Sequence, residues 1–205
     1  KTRVLHTAGV GESQVDEWIS DLETGTNPTV GLLAHPGQVD IRIAAKASSE
    51  LEVMEMINTM ADAIHHRLGN HIFGTDGETL VEVVFGKLAS RDLSIFILEC
   101  GLNDLIKQKI IENGMENTSQ IETVHQSLNQ QLLREQILQI KQNHPLANAY
   151  LGASLETITD RKVLLHAITV IDDEINENTM HFGGHSDISL GWAVSSSLNF
   201  LRINL

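Results

Sequence analysis

The chain has 205 residues, of which 41% are hydrophobic and 20% charged, and its net charge is −13. It is long enough for one large domain or two small ones, and apolar enough to pack a core, which excludes a disordered chain. Acids outnumber Lys and Arg by 13 to 6 over residues 1–88 and by 14 to 8 over residues 89–205. The deficit is spread evenly, which argues against non-specific binding to nucleic acid or an acidic membrane, since both need basic charge.

The single cysteine, Cys100, rules out an internal disulfide and is what a reducing, cytoplasmic setting permits. No stretch approaches the run of about 18 apolar residues that a membrane span requires, and no signal peptide is visible. The chain opens on Lys1, which fits a domain cut from a longer protein.

Val15, Trp18, Ile19 and Leu22 recur at helical spacing and predict a helix from about Glu12 to Glu23, ended by Gly25. Two strands follow, Thr29–Leu33 and Val39–Ile43, joined by the turn His35-Pro36-Gly37-Gln38. Ser49 and Glu52 have capping-box spacing before a helix that runs to Leu68 and buries Met54, Ile57, Ala61, Ile64 and Leu68. Gly69 stops it, and a strand near His71–Phe73 completes a small α-β-β-α unit. Thr75-Asp76-Gly77-Glu78 starts a new helix with Leu80, Val84 and Leu88 on one face, and the domain boundary is placed near Gly74.

Leu93–Leu98 is continuously apolar, as a strand buried on both faces should be. A helix using Leu102, Leu105, Ile106 and Ile110 follows and closes at Asn113-Gly114. Ile121–Val124 is a short strand, and Leu133, Ile137 and Ile140 define a helix ending before His144-Pro145. Ala147–Leu155 and Lys162–Ile171 read as strands, with a turn near Asp173 and a return strand to about Phe182. The last helix runs from Ser186 to Arg202 and carries Ile188, Trp192, Ser195, Leu198 and Leu201. The fold class is α/β: a small α+β domain, then an α/β layered one.

Two groups of residues invite a chemical reading. Cys100 stands where the apolar strand gives way to a helix, a place where unpaired backbone N–H groups favour negative charge and lower a thiol pKa. With Glu99 beside it and His125 as base, it is a candidate nucleophile; the competing reading is a small buried residue at a strand end. His181, His185 and Asp187 could form a three-ligand site, but no Cys pair or His-Glu-x-x-His helix supports a metal, and none is assigned. No cofactor is assigned either.

The sequence resembles the competence/damage-inducible protein family (CinA). Over residues 1–88 the resemblance rests on Arg3–Ser13, Asn27-Pro28-Thr29-Val30, Pro36–Ala47, Arg67-Leu68-Gly69, Ile72-Phe73-Gly74 and Glu78-Thr79-Leu80, in order and in register. It implies a KH-like linker domain over residues 1–74 and, over 75–205, a divergent form of the family's C-terminal domain, whose active members deamidate nicotinamide mononucleotide. It also implies a molybdopterin-binding-like domain upstream in the full-length protein, and a homodimer.

Residues 89–205 depart from the family pattern. Where the family has Ala-Glu-Ser-Cys-Thr-Gly-Gly, this chain has Leu98-Glu99-Cys100-Gly101-Leu102-Asn103-Asp104: Glu99 is kept, Cys100 takes the serine's place, and both glycines are gone. The family's Ala-Tyr-Ser-Asn-Glu-Ala-Lys segment corresponds to Thr123–Gln130, without tyrosine or lysine. Its Thr-Gly-Ile-Ala-Gly-Pro loop falls on Ala153–Ile158, without glycine or proline, and its arginine before the last helix is replaced near His185-Ser186-Asp187. The expectation is therefore a non-catalytic domain with a structural or dimerising role; the alternative is an amidase that uses Cys100. RNA binding by the KH-like unit needs a Gly-x-x-Gly clamp with basic flanks; the expectation is that residues 1–88 lack one, and the −7 of this region argues against it as well.

Overall fold

A computed structural model describes residues 1–159, 162–183 and 186–205; of Ser186 and Asp187 it describes the backbone only. The chain divides into two compact units, Lys1–Leu80 and Val81–Leu205. Secondary structure is mixed α and β throughout.

The first unit contains β1 (Thr2–Ala8), α1 (Glu12–Ile19), β2 (Thr29–His35), β3 (Gln38–Ala44), α2 (Glu50–Leu68) and β4 (Ile72–Thr75). Its sheet has the order β2-β3-β1-β4, all antiparallel. Period-2 alternation sends Leu5, Val39, Ile41 and Ile43 to one face, where they bury against Val15 and Ile19 of α1 and Val53, Ile57, Ala61, Ile64 and Leu68 of α2. Ser49 caps α2 by accepting from the Glu52 amide at 3.2 Å, and Gly69 ends it with a positive φ.

Three expectations for this unit need correction. β1 was not foreseen: its alternation is masked by Arg3, His6 and Thr7, yet it lies between β3 and β4, with the buried Thr7 hydroxyl paired to the Val39 carbonyl at 2.9 Å. The first helix ends at Ile19, four residues before Glu23. Arg67 takes the Trp18 carbonyl that a further turn would have used, and Leu22 N–H turns back to Ile19. On α2 it is Val53, in phase with Ile57 and Ala61, that is buried; Met54 is only half-buried.

The second unit contains α3 (Leu80–Ser90), which begins at the boundary, followed by β5 (Ile95–Cys100), α4 (Leu105–Glu112), β6 (Ser119–Val124), α5 (Gln130–Asn143), β7 (Ala149–Thr159), β8 (Lys162–Ile171), β9 (Glu174–Gly183) and α6 (Ser186–Asn204). The sheet order is β6-β5-β7-β8-β9. β5 pairs in parallel with β6 and β7 on its two sides, so every one of its residues is buried and its sequence shows no alternation. Phe96, Leu98 and Cys100 point to the face covered by Leu133, Ile137 and Ile140 of α5, together with Tyr150, Ile168 and Val170. Asp172 and Asp173 both take positive φ in the tight β8–β9 turn, where Asp is among the few non-glycine residues that tolerate it.

Gly152 is the contact point between β7 and α5. A Cβ there would stand 2.7 Å from Ile137 Cγ1 and 2.7 Å from Ile168 Cγ2. Gly152→Ala is expected to cost about 1–3 kcal/mol by overpacking, measured as a lower denaturant midpoint; unchanged stability would show that α5 moves off the sheet freely.

Candidate functional site

The strand-to-helix junction at Cys100 is built from the ends of β5, β6 and β7. Gly101 has φ +65°, and a Cβ on it would lie 2.6 Å from Ser127 Oγ and 2.7 Å from the Leu155 carbonyl oxygen, so only glycine fits. Asn103 and Asp104 also take positive φ, at 56° and 61°. Asn and Asp are the non-glycine residue types that best tolerate a left-handed backbone, and here they place two polar side chains in the turn. The same run of left-handed residues delays α4 to Leu105 and leaves Leu102 in the turn, fully buried.

Glu99 and Cys100 are neighbours in sequence and opposite in direction. Glu99 faces α4: its Oε2 accepts from the Ile106 amide at 3.0 Å, and its Oε1 accepts from the Thr123 hydroxyl at 3.1 Å. The helix has no side-chain cap of its own at Asp104, so a carboxylate from the adjoining strand satisfies the donor that a capping residue would normally take. Burial pushes the Glu99 pKa up; the bonds from Ile106 and Thr123 work against that without cancelling it.

Cys100 faces α5 and is fully buried within the apolar cluster. Burial, then the charges of Glu122 and Glu99, push its thiol up to about 12, so it is protonated at neutral pH. His125, one residue beyond the Cys100–Val124 pairing, is exposed, and no hydrogen bond joins it to the thiol among the described residues. The structure thus places the three candidate residues close in the fold but directs them three ways: Glu99 to α4, Cys100 to α5, His125 to solvent.

Sequence reasoning passed over the hydroxyls that close this junction. Ser127 donates to the Leu155 carbonyl at 2.5 Å. Ser154, opposite Cys100 on β7, accepts from Leu128 N–H and donates to Leu128 C=O, both at 2.7 Å. Beside it on β8, His166 links Thr179 of β9 at 3.0 Å to Glu156 of β7 at 3.2 Å. The signal available in the sequence was a serine inside an apolar run. Among the described residues no group of three or more His, Cys, Asp or Glu can hold a metal; His185 and the Asp187 side chain lie outside them.

In the first unit the spacing Gly74-Thr75-Asp76-Gly77 does place two glycines three apart. Its first two residues end β4 and the next two begin the turn that follows, where Glu78 accepts from Thr75 N–H at 2.8 Å and Asp76 accepts from Val4 N–H at 2.9 Å. Its charged side chain, Asp76, and the adjoining Glu78 are acidic, the opposite of what a phosphate backbone attracts.

The first unit is a four-stranded antiparallel sheet backed by two helices. Residues 2–74 match the family described as damage-inducible protein CinA KH domain. A putative competence-damage inducible protein of Moorella thermoacetica is 38% identical over 109 residues, 53% of this chain and 26% of that protein. Another, from Clostridium botulinum (strain Loch Maree / Type A3), is 40% identical over 112 residues, 54% of this chain and 27% of that protein. The chain spans about a quarter of the length of these curated relatives. Among solved structures, a competence or damage-inducible protein from Enterobacter asburiae superposes with a TM-score of 0.52 at 16% identity, covering 62% of this chain and 99% of that one. A CinA superfamily protein from Enterobacter cloacae gives 0.51 at 16% identity, covering 63% and 94%. At that identity the likeness is one of fold. Residues 2–74 thus match the CinA KH domain, and the chain is similar to CinA-like proteins over about half of its length.

The junction makes two predictions. Cys100 in the native chain is expected to resist a disulfide reagent at pH 8 and to react once the chain is unfolded; rapid native-state labelling would contradict its burial. Glu99→Ala is expected to cost about 1–3 kcal/mol by leaving the Ile106 N–H unpaired, whereas Glu99→Gln keeps an acceptor and loses less. The pKa of Glu99 is raised on folding, so the native state holds its proton to higher pH than the unfolded state. Its contribution to stability therefore falls as pH rises from the ordinary carboxyl value of 4.5 through the folded pKa, and the Gln variant lacks that fall in a denaturant titration.

Proposed function

We propose that residues 75–205 are a non-catalytic version of the family's deamidase domain, retained as a structural and dimerising module behind a KH-like linker domain over residues 1–74. The observation that carries this reading is the Glu99 carboxylate on the N-terminus of α4. A helix N-terminus offers its free amides to a ligand phosphate; here the Glu99 carboxyl oxygen already holds the Ile106 amide, and Asp104 adds a second acid beside it. Cys100, at the serine position, points to the opposite face of β5 and is sealed under α5.

The neighbouring segments support the same reading. Ala153–Ile158, where the family turns through a glycine- and proline-containing loop, lies within β7, paired with β8 from Ala153↔Ala167 to Thr157↔Val163. Backbone groups spent in a ladder are not free to bind a developing oxyanion. A thiol raised to about 12 is protonated at neutral pH and so a poor nucleophile, and among the described residues no hydrogen bond joins it to a base. The acidic balance and the acidic turn after β4 weigh against an RNA-binding role for the first unit. No helix among the described residues is long and apolar enough to cross a membrane. The upstream molybdopterin-binding-like domain and a cytoplasmic setting belong to the same proposal.

Purified chain is expected to release no ammonia from nicotinamide mononucleotide and to sediment as a dimer. Turnover that disappears in Cys100→Ala would establish the amidase instead. Sedimentation as a monomer at all concentrations would remove the dimerising role.

A further inference from the structure

His6, in the middle of β1, lies on the sheet face turned away from α1 and α2. Both of its ring nitrogens are engaged: Nδ1 is 2.7 Å from Asp40 Oδ1 on β3, and Nε2 is 2.8 Å from the Asp76 carbonyl oxygen in the segment that follows β4. A carbonyl oxygen and a carboxylate both accept, so the two contacts together call for an imidazole with a proton on each nitrogen. The Phe73 ring of β4 stacks on it at 5.7 Å.

The bonds fall where the backbone ladder is weakest. β1 and β4 share three paired positions, and their register shifts between His6 and Thr7. Asp76, itself at φ 54°, is held to β1 by its amide on the Val4 carbonyl at 2.8 Å, by its carboxylate on the Val4 amide, and by its carbonyl on His6.

The titratable groups around His6 come from each strand. β3 supplies Asp40 and, two residues further on the same face, the exposed Arg42; β2 supplies His35, whose Nε2 is 3.2 Å from Asp40 Oδ2. The segment after β4 supplies Asp76 and Glu78, the latter engaged with Thr75. Two acids thus face His6 directly, and the second histidine shares one of them.

We propose that His6, Asp40 and Asp76 form a proton-operated latch on residues 75–79, the segment that leads from β4 into α3. With His6 doubly protonated, β1, β3 and this segment are tied through one ring. When the proton leaves, the ring can donate only once, and either Asp40 or the Asp76 carbonyl is released. Burial pulls the imidazole pKa down, but the bonds to Asp40 and the Asp76 carbonyl and the charges of both acids outweigh it and hold it above the usual 6.5. A folded pKa above the unfolded one gives stabilisation that is complete below about pH 6.5 and lost as pH rises through the folded value. Each unit of separation changes the folding constant by about tenfold.

The test uses the full chain carrying Trp192→Phe, which leaves Trp18 of α1 as the sole tryptophan and a reporter on the first unit. Its urea midpoint is expected to fall between pH 6 and pH 9, and His6→Gln is expected to lose the part of that fall that His6 supplies. In the parent chain, the His6 ring followed by NMR is expected to titrate above 6.5, and Asp40→Asn is expected to bring it down. A His6 titration at or below 6.5, or a His6→Gln profile parallel to the parent's, would overturn the latch. The titration is read on the parent chain and holds even where the substituted chains fold poorly.

Discussion

The amides at the start of α4 need acceptors, and the chain supplies one from its own central strand. Glu99 is the last acid before the junction, it is fully buried, and its two oxygens are engaged by Ile106 N–H and the Thr123 hydroxyl. A buried carboxylate is costly unless it is hydrogen-bonded, and a buried helix end is costly unless it is capped; each here relieves the other. The arrangement couples β5, β6 and α4 through one side chain. It also uses up the local positive potential that would otherwise draw an anion to the end of the strands.

The direction of Cys100 follows from the same strand. With Glu99 committed to α4, alternation sends the next residue to α5, where Leu133 and Ile137 close over it. The turn that follows keeps a left-handed backbone through Gly101, Asn103 and Asp104, and Gly101 fits only because nothing larger clears Ser127 and Leu155. Ser127 and Ser154 then pin the segment after β6 against β7. The interior of the junction is occupied by the protein's own groups.

How much of this was legible in the sequence depended on how plainly each element stated its period. The helices carrying Ile57, Ala61 and Ile64, and Leu133, Ile137 and Ile140, showed clean spacing and lie close to where it placed them. β5 was legible because a strand paired on both sides is apolar throughout. β1 was not, because its buried positions include a threonine satisfied by a distant backbone and its exposed face carries a histidine bonded to two other elements. The identities of Glu99 and Cys100 were legible, but their opposite directions became plain only once the strand ended at Cys100 and not at Leu98. The hydroxyl contacts of Ser127 and Ser154 join residues more than 25 apart in sequence and carry no local signature.

The central claim is that the N-terminus of α4 is closed by Glu99 to an incoming phosphate. The most direct measurement follows the backbone amide resonances of Gly101–Ile106 while nicotinamide mononucleotide is added to millimolar concentration. The account predicts that these amides do not move, with the Ile106 amide shifted downfield by its carboxylate partner in the free chain and staying there. Saturable shifts across Gly101–Ile106, with Ile106 leaving its starting position, would show that the ligand displaces Glu99 and that the junction still binds.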